Sequence, residues 1–305
     1  VSDLHPPNIV WIVTDELKPP FANHIKTLVK TGISFTETFV LSQVEASARS
    51  ALLTGVHPTT LGVTKNGLST SPPAEVAILP ERLRRSGYYT SRAGPMRHNL
   101  SVGVADKASA GVRPQLGLLG AWDVAGTDAD WRERSLNWDL PCTVSFGCGG
   151  SATGRSKPFF AMFNVTATSA PALDQEIGKI LNALDADALT DNTVVFLLDT
   201  DGTGTSLIVR WPDRLQANIT RDDPVSVLDL APTVLALAGV SVPSSMPGRL
   251  LFDLNTTAPR IDEQRITISK TEAQESPHQT VLPPTTATPN GYPELGFPGF
   301  VGLFA

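Results

Sequence analysis

The sequence contains no apolar run close to the roughly 20 residues needed to cross a bilayer. It also begins without Met and without a basic-then-apolar leader, so we expect a mature form from which a signal has been removed. Basic residues are fewer than acidic residues, with 24 Lys and Arg against 30 Asp and Glu. The formal net charge is -6, and no basic stripe is present that would neutralise the phosphates of a nucleic acid. These absences argue against a transmembrane segment and against nucleic acid as a partner.

Cysteine is scarce, since Cys142 and Cys148 are the only two, and they flank the short segment TVSFG. Two ligands alone do not make a zinc site, so these residues form either a local disulfide, which we favour, or two free thiols. A disulfide agrees with an oxidising compartment. Four N-x-S/T sequons favour secretion and N-linked glycans, and they begin at Asn99, Asn164, Asn218 and Asn255. We therefore predict a secreted, extracellular glycoprotein.

Strand-like and helix-like patterns alternate along much of the chain. Runs of apolar and β-branched residues predict strands, and apolar residues at helical spacing predict the helices between them. The predicted strands lie at 8–14, 33–40, 88–90, 158–165, 193–198 and 207–209, and the predicted helices at 21–29, 48–54, 80–87, 173–184 and 230–238. This order predicts an α/β fold with a mostly parallel sheet.

Two regions depart from this alternation. Glycine, aspartate and serine interrupt every apolar run between 101 and 156, which predicts an irregular excursion. Three tryptophans of this excursion are expected to cover the core: Trp122, Trp131 and Trp138. The segment 271–305 is rich in proline, threonine and glycine, which predicts an extended tail. Its apolar end either folds back over its own domain or docks on a partner. The predicted divisions are an α/β domain at 1–210, the rest of the core with a reduced C-terminal subdomain at 211–270, and the tail.

The segment 43–55, QVEASARSALLTG, is the one around which the chain is organised. Residues 48–54 predict a short helix that ends at Gly55, because glycine tolerates a positive φ after a helix end. The residues before Ala48 would then lie at a helix N-terminus, where free N–H groups favour an anion. The side chain placed there is Glu45, a weak nucleophile with no base beside it in the sequence. The segment resembles a catalytic site whose chemistry has been removed.

The order of the segments resembles the sulfatase family of the alkaline-phosphatase superfamily over residues 7–248. The segments that carry the resemblance are, in family order, PNIVWIVTDE, GISFTETFV, VEASARSALLTGVHPTT, LPERLRRSGYYTSRAGPMRH, KPFFAMFNVTATSAP, DNTVVFLLDTDG, SLIVRWPD and VSVLDLAPTVLALAGVSVP. The Pro58–Thr60 and Gly94–His98 segments look nearest to the iduronate sulfatase and heparan sulfamidase branches. The resemblance implies a doubly wound α/β domain, a calcium-type cation at the carboxyl ends of the strands, and a formylglycine nucleophile at the start of a helix.

The resemblance also implies which acids would bind the cation. Asp15 matches the first metal-binding acid, Glu16 lies where a second aspartate is expected, and Asp199 matches the later metal-binding acid. If the fold holds, these carboxylates converge with Glu45, and hard oxygen ligands of this number suit calcium. The alternative is that Glu45 pairs with Arg49 and the other acids turn toward solvent.

The positions that carry the family's chemistry are altered. Glu45 falls at the formylglycine position, Pro95 replaces the lysine of the G-K-x-x-H pattern, and Thr166–Ser169 lies where a histidine-containing loop is expected. Arg49 and His98 remain, and they match the motif arginine and histidine. The covalent step has no agent, and losing one electrostatic donor can lower a rate by ~10²–10³. We therefore expect no catalytic residue to be functional.

Three hypotheses follow. The first is a catalytically inactive sulfatase-like protein with a structural or binding role in an extracellular assembly, held to other proteins through the C-terminal tail. The alternative is a metal-dependent hydrolase of sulfate or phosphate esters with altered chemistry. A third is carbohydrate binding through a vestigial sulfated-glycan groove, which has few basic residues near the site to support it.

Overall fold

The computed structural model describes residues 6–14, 17, 19–42, 45–62, 73, 76, 78–94, 122, 124–125, 157–200, 205–212 and 214–252. Several sequence predictions lie outside these residues. They concern the side chains of Asp15, Glu16, Pro95 and His98, the sequons at Asn99 and Asn255, Cys142 and Cys148, Trp131 and Trp138, and the tail 271–305. The reduced C-terminal subdomain also stays a prediction, because the residues from 253 onward lie outside the described ranges.

The described part of the chain contains nine strands and five α-helices. The strands are β1 Asn8–Thr14, β2 Ile33–Phe39, β3 Tyr89–Ala93, β4 Val124–Ala125, β5 Phe159–Val165, β6 Thr193–Asp199, β7 Thr205–Arg210, β8 Ile219–Arg221 and β9 Val225–Ser226. The helices are α1 Asn23–Thr31, α2 Glu45–Thr54, α3 Leu79–Arg85, α4 Ala170–Ala186 and α5 Leu230–Leu237. Within the described ranges, no helix has the length and apolar content required to traverse a membrane.

All nine strands join one sheet in the order β4-β3-β5-β1-β6-β7-β2-β8, with β9 also paired to β2. Neighbouring strands are parallel except at β7, which runs antiparallel to both β6 and β2. The central strand β1 has every residue buried, and its Trp11 lies opposite Met162 of β5 and Phe196 of β6. The predicted mostly parallel sheet is confirmed.

Helices cover both faces of this sheet. Alternate residues of β1 enter two separate buried clusters, with Ile9, Trp11 and Val13 in one and Val10 and Ile12 in the other. The first cluster includes residues of α2, α3 and α5, and the second includes residues of α1 and α4. A strand that is apolar on both sides is therefore buried on both sides, which confirms the doubly wound α/β architecture.

The predicted elements are present, with ends shifted by up to three residues. The start of α2 is one such correction, because the helix begins at Glu45 and not at Ala48. Alanine is a strong helix former, and a glutamate in the first turn suits the helix dipole, so both favour the earlier start. The strands β4, β8 and β9 were not predicted. They are two or three residues long, too short for a periodic pattern to show.

Trp122 covers the core, as predicted. Its side chain is 8% exposed and stacks on Phe160, with ring centroids 5.8 Å apart. Phe160 in turn contacts Trp11 edge-on, at a centroid distance of 5.3 Å. Such aromatic pairs add to the stability that burial of their area provides.

The segment after α5 is anchored to the start of that helix. The Oδ1 atom of Asp229 accepts a hydrogen bond from Arg249 N at 2.8 Å, and Thr233 Oγ1 accepts one from Leu251 N at 2.9 Å. Gly248 passes so close to the chain that a Cβ atom there would lie 2.1 Å from Leu228 O. These contacts hold the last described residues against the sheet's first buried cluster.

Helix α1 begins without a cap of its own and is capped from another helix. Ala22, which precedes it, offers no side-chain acceptor. Instead, the buried carboxylate of Asp174 in α4 accepts hydrogen bonds from His24 N at 3.2 Å and from Ile25 N at 2.9 Å. The two helices meet closely here, since a Cβ atom at Gly178 would lie 2.5 Å from His24 Cδ2. Asp174 therefore satisfies two N–H groups that a helix start leaves without partners.

Replacing Asp174 tests this long-range cap. Asp174→Ala should lower the free energy of unfolding by about 1–3 kcal/mol, because two N–H groups at the start of α1 lose their acceptor. Asp174→Asn, which keeps one carbonyl oxygen, should lose less. Urea unfolding measures both changes. Gln175→Ala, at an exposed position of the same helix, is the control and should stay within about 0.5 kcal/mol. Equal losses for Asp174→Ala and Gln175→Ala would contradict the cap.

Candidate functional site

The carboxyl ends of β1 and β6 lie side by side. Thr14, the last residue of β1, pairs with Asp199, the last residue of β6, and Thr200 N donates to Thr14 O at 3.0 Å. The Asp199 side chain is fully buried, and its Oδ2 accepts a hydrogen bond from Leu17 N at 2.9 Å. The structure therefore places Asp199 next to the chain that carries Asp15 and Glu16. Ligands of open α/β sheets bind at this edge.

The donors that the structure describes do not by themselves fit a calcium-type cation. No group of three or more His, Cys, Asp or Glu side chains that could hold a metal ion occurs among the described residues. One carboxylate oxygen of Asp199 is already bonded to Leu17 N. Calcium prefers six to eight oxygen ligands. The cation stays a prediction that depends on Asp15, Glu16 and Glu45, whose side chains are not described.

Helix α2 carries the altered nucleophile position in its first turn. Glu45 is the first residue of the helix, and Arg49 follows one turn later with 2% of its surface exposed. A charge that is buried to this extent requires partners inside the protein, so Arg49 is not a surface group. Its pairing with Glu45 stays a prediction.

Side-chain hydroxyl groups of α2 form hydrogen bonds with backbone groups of the helix and of the residue just beyond its end. Ser50 Oγ donates to Ala46 O at 2.7 Å, Thr54 Oγ1 donates to Ser50 O at 2.8 Å, and Val56 N donates back to Thr54 Oγ1 at 3.2 Å. Gly55 follows with φ of 65°, the left-handed conformation that was expected after this helix. The predicted end of the helix is confirmed.

The histidine just beyond α2 is held by its own turn. His57 Nδ1 lies 2.7 Å from Thr59 Oγ1 and accepts a hydrogen bond from Thr59 N at 3.3 Å. Burial lowers the pKa of His57, so its ring favours the neutral form. Burial also lowers the pKa of Arg210, the last residue of β7, which pairs with Val195 near the start of β6.

Two polar side chains, on β3 and β5, are buried, and sequence reasoning named neither as a catalytic or metal-binding residue. Asn164 is 2% exposed, and neither its amide nitrogen nor its amide oxygen has a hydrogen-bond partner among the residues that the structure describes. Arg92 is 1% exposed and reaches the carbonyl of Gly94, with Nη1 at 3.5 Å. Asn164 carries a detectable signal, because it is the one polar residue in the strand FFAMFNV.

Asn164, one of the predicted glycosylation sites, lies at a buried position. Its side chain points into the protein beside Gly94, where an added Cβ atom would lie 3.3 Å from Asn164 Cβ and 2.1 Å from Asn164 O. Gly94 also has φ of 85°, which glycine tolerates best. This burial argues against a glycan on Asn164 in the folded chain, and glycosylation at this sequon stays a prediction.

The loop after β5 contains hydroxyl groups but no titratable side chain. Thr166, Thr168 and Ser169 are exposed, and Ser169 serves as the N-cap of α4 by accepting a hydrogen bond from Ala172 N at 3.4 Å. These residues occupy the position where the resemblance implies a histidine-containing loop. No residue of this loop can protonate a leaving group near neutral pH.

Comparisons with known proteins agree with the fold. The family model for the C-terminal part of N-sulphoglucosamine sulphohydrolase matches residues 196–266. An ulvan-active sulfatase of Formosa agariphila is 24% identical over 80% of this chain and 54% of its own length. The N-acetylgalactosamine-6-sulfatase of Homo sapiens is 22% identical over 78% of this chain and 63% of its own length. The chain thus spans between half and two thirds of the length of these relatives.

Solved structures show the same fold. The crystal structure of Ps i-CgsB in complex with k-i-k-neocarrahexaose has a TM-score of 0.60 and 18% identity, and the match covers 80% of this chain and 75% of that one. A phosphonate monoester hydrolase of Agrobacterium radiobacter has a TM-score of 0.59 and 14% identity over 80% of this chain and 76% of that one. At these identities the likeness establishes the architecture alone.

Replacing Asp199 tests its bond to the chain after β1. Asp199→Ala should lower the free energy of unfolding by at least about 1–3 kcal/mol, because the buried N–H of Leu17 loses its acceptor. Asp199→Asn keeps an oxygen and should lose less. Thermal unfolding followed by circular dichroism measures both. The control is Asp222→Ala, an exposed acid in a loop. Full stability of Asp199→Ala in the metal-free protein would contradict a structural role for this carboxylate.

Proposed function

We propose that this chain, which is sulfatase-like by its similarity to that family of the alkaline-phosphatase superfamily, is a catalytically inactive member with a structural or binding role in an extracellular assembly. The relatives reported above are described as sulfatases, so the proposal rests on what this chain has at the positions of the family's chemistry.

One observation carries the proposal, namely that α2 begins with a glutamate where the nucleophile is expected. Glu45 is the first residue of that helix, and Arg49 of the same motif is buried four positions later. The scaffold of the motif is thus retained. The attacking group is a hydrated aldehyde, which forms from cysteine or serine, and a carboxylate side chain cannot become one. Without it the covalent step has no agent.

Two further features support the loss of turnover. The loop Thr166–Ser169 supplies no acid to a leaving oxygen, and its Ser169 is used to cap α4. The Oδ2 atom of Asp199 accepts a hydrogen bond from Leu17 N, so this carboxylate stabilises the fold without a metal. Asp199 and Ser169 thus each have a structural role that does not need the reaction.

A binding role is supported by what the relatives are described as acting on or binding. The similar proteins include a sulfatase described as ulvan-active and a structure in complex with k-i-k-neocarrahexaose. Sulfated polysaccharide is therefore the first ligand class to test, and retention should be lost as salt is raised.

The alternative function is a metal-dependent hydrolase of sulfate or phosphate esters with altered chemistry. It is favoured by one specific observation, the complete burial of Asp199 at the carboxyl end of β6 beside the end of β1. Under this alternative Asp15, Glu16 and Asp199 would bind the cation, and calcium would raise the melting temperature.

An activity assay separates the two. The purified chain should show no turnover of an aryl sulfate or aryl phosphate, with or without added calcium, because the nucleophile is absent. The ulvan-active sulfatase of Formosa agariphila serves as the positive control for the assay. Calcium-dependent turnover that Asp15→Ala abolishes would contradict the proposal and support the hydrolase. Turnover that persists in Asp15→Ala would indicate a contaminating enzyme.

Deletion of the tail tests the role in an assembly. Removal of residues 271–305 should release the chain from proteins that co-purify with it, since the predicted tail ends in apolar side chains at positions 297, 300, 301, 303 and 304. Burial of such side chains contributes about 1.5–3 kcal/mol each. Size-exclusion chromatography of the extracellular fraction measures the change. Unchanged co-purification after deletion would remove the tail from the proposal.

A further inference from the structure

The turn before β8 presents an asparagine in an unusual backbone conformation. Gln216, Ala217 and Asn218 form an exposed run of three residues. Asn218 has φ of 57°, in the left-handed region, which asparagine tolerates better than most residues that have a Cβ atom. Directly after it, Ile219 N donates to Gly32 O at 3.3 Å. Asn218 therefore lies at the end of an exposed segment, and the residue after it is hydrogen-bonded to Gly32.

The threonine of the same sequon is also at the surface. Thr220 lies in β8 opposite Ser34 of β2 and is exposed, whereas its neighbours Ile219 and Arg221 are half-buried. An N-linked glycan requires an accessible asparagine amide followed by an accessible hydroxyl two residues later. The sequon Asn218-Ile219-Thr220 meets both conditions, whereas the sequon at Asn164 has an exposed Thr166 but fails the first condition, because Asn164 is 2% exposed.

We propose that Asn218 is an N-glycan acceptor and that its glycan covers the outer edge of β8. Nothing in this proposal depends on whether the sulfatase-like site is active. It depends on passage of the chain through the secretory pathway and on the geometry of this turn.

The edge of the sheet at β8 explains what the glycan would do. β8 pairs with β2 on one side, and within the described residues no strand pairs with its other side. An open edge offers free N–H and C=O groups to strands of other chains. The one cation of the strand, Arg221, is used in an ion pair with Asp223. Pro224 comes after the end of β8, so the backbone N–H that proline lacks is not one of the strand's own donors.

A matched pair of variants tests the proposal with Asn218 itself unchanged. Thr220→Ala destroys the sequon, and Thr220→Ser preserves it, while both replace a side chain at the same exposed site. The 305-residue chain and both variants are secreted from eukaryotic cells behind an added signal peptide. Glycopeptide mass spectrometry then measures occupancy at residue 218, with the peptide that contains Asn164 as the internal negative.

The expected result is a glycan on Asn218 in the wild type and in Thr220→Ser, complete loss of that glycan in Thr220→Ala, and no glycan on Asn164 of the folded, secreted protein. Light scattering at rising concentration should show self-association of Thr220→Ala and of endoglycosidase-treated wild type, but not of Thr220→Ser. An unmodified Asn218 in folded, secreted wild type would overturn the proposed acceptor. Equal self-association of glycosylated and deglycosylated protein would overturn the proposed covering of the edge.

Discussion

The parallel pairing of β1 between β5 and β6 is the constraint on which the rest of the structure depends. It places the end of β1 opposite Asp199, and the bond from Leu17 N to that carboxylate then fixes the direction in which the chain leaves the strand. Because β1 is apolar on both sides, helices must cover both faces of the sheet. The same pairing brings every strand-end residue of the candidate site to one edge, so the fold and the site have one origin.

Under the proposed function, the retained scaffold and the loss of chemistry have one explanation. Arg49, Asp199 and Ser169 belong to hydrogen-bonded or buried parts of the fold, and changing them would cost stability whether or not the protein catalyses a reaction. A nucleophile has no such structural duty, so its position tolerates a glutamate, which suits the first turn of a helix. A sulfatase-like architecture can therefore persist after the covalent step has been lost.

Much of the fold was predictable from the sequence, but less of the site was. The strand 8–14 was predicted with both ends correct, because an unbroken run of apolar and β-branched residues defines its limits. The ends of α2 differed in predictability, since Gly55 marks the C-terminus and no residue marks the N-terminus as clearly. The long-range contacts could not be foreseen: the cap on α1 is supplied by Asp174, 150 residues away from His24, and no local pattern encodes such a pair. The N-x-S/T motif alone also could not show that Asn164 is buried and that Asn218 is exposed.

The central claim is that an unmodified glutamate occupies the position of the family's nucleophile. An experimental electron-density map of crystals grown with calcium and sulfate tests it most directly. The account predicts an intact glutamate side chain at residue 45 in the first turn of α2, with no sulfate within bonding distance of it. A sulfate bound to a covalently modified side chain at residue 45 would contradict the account.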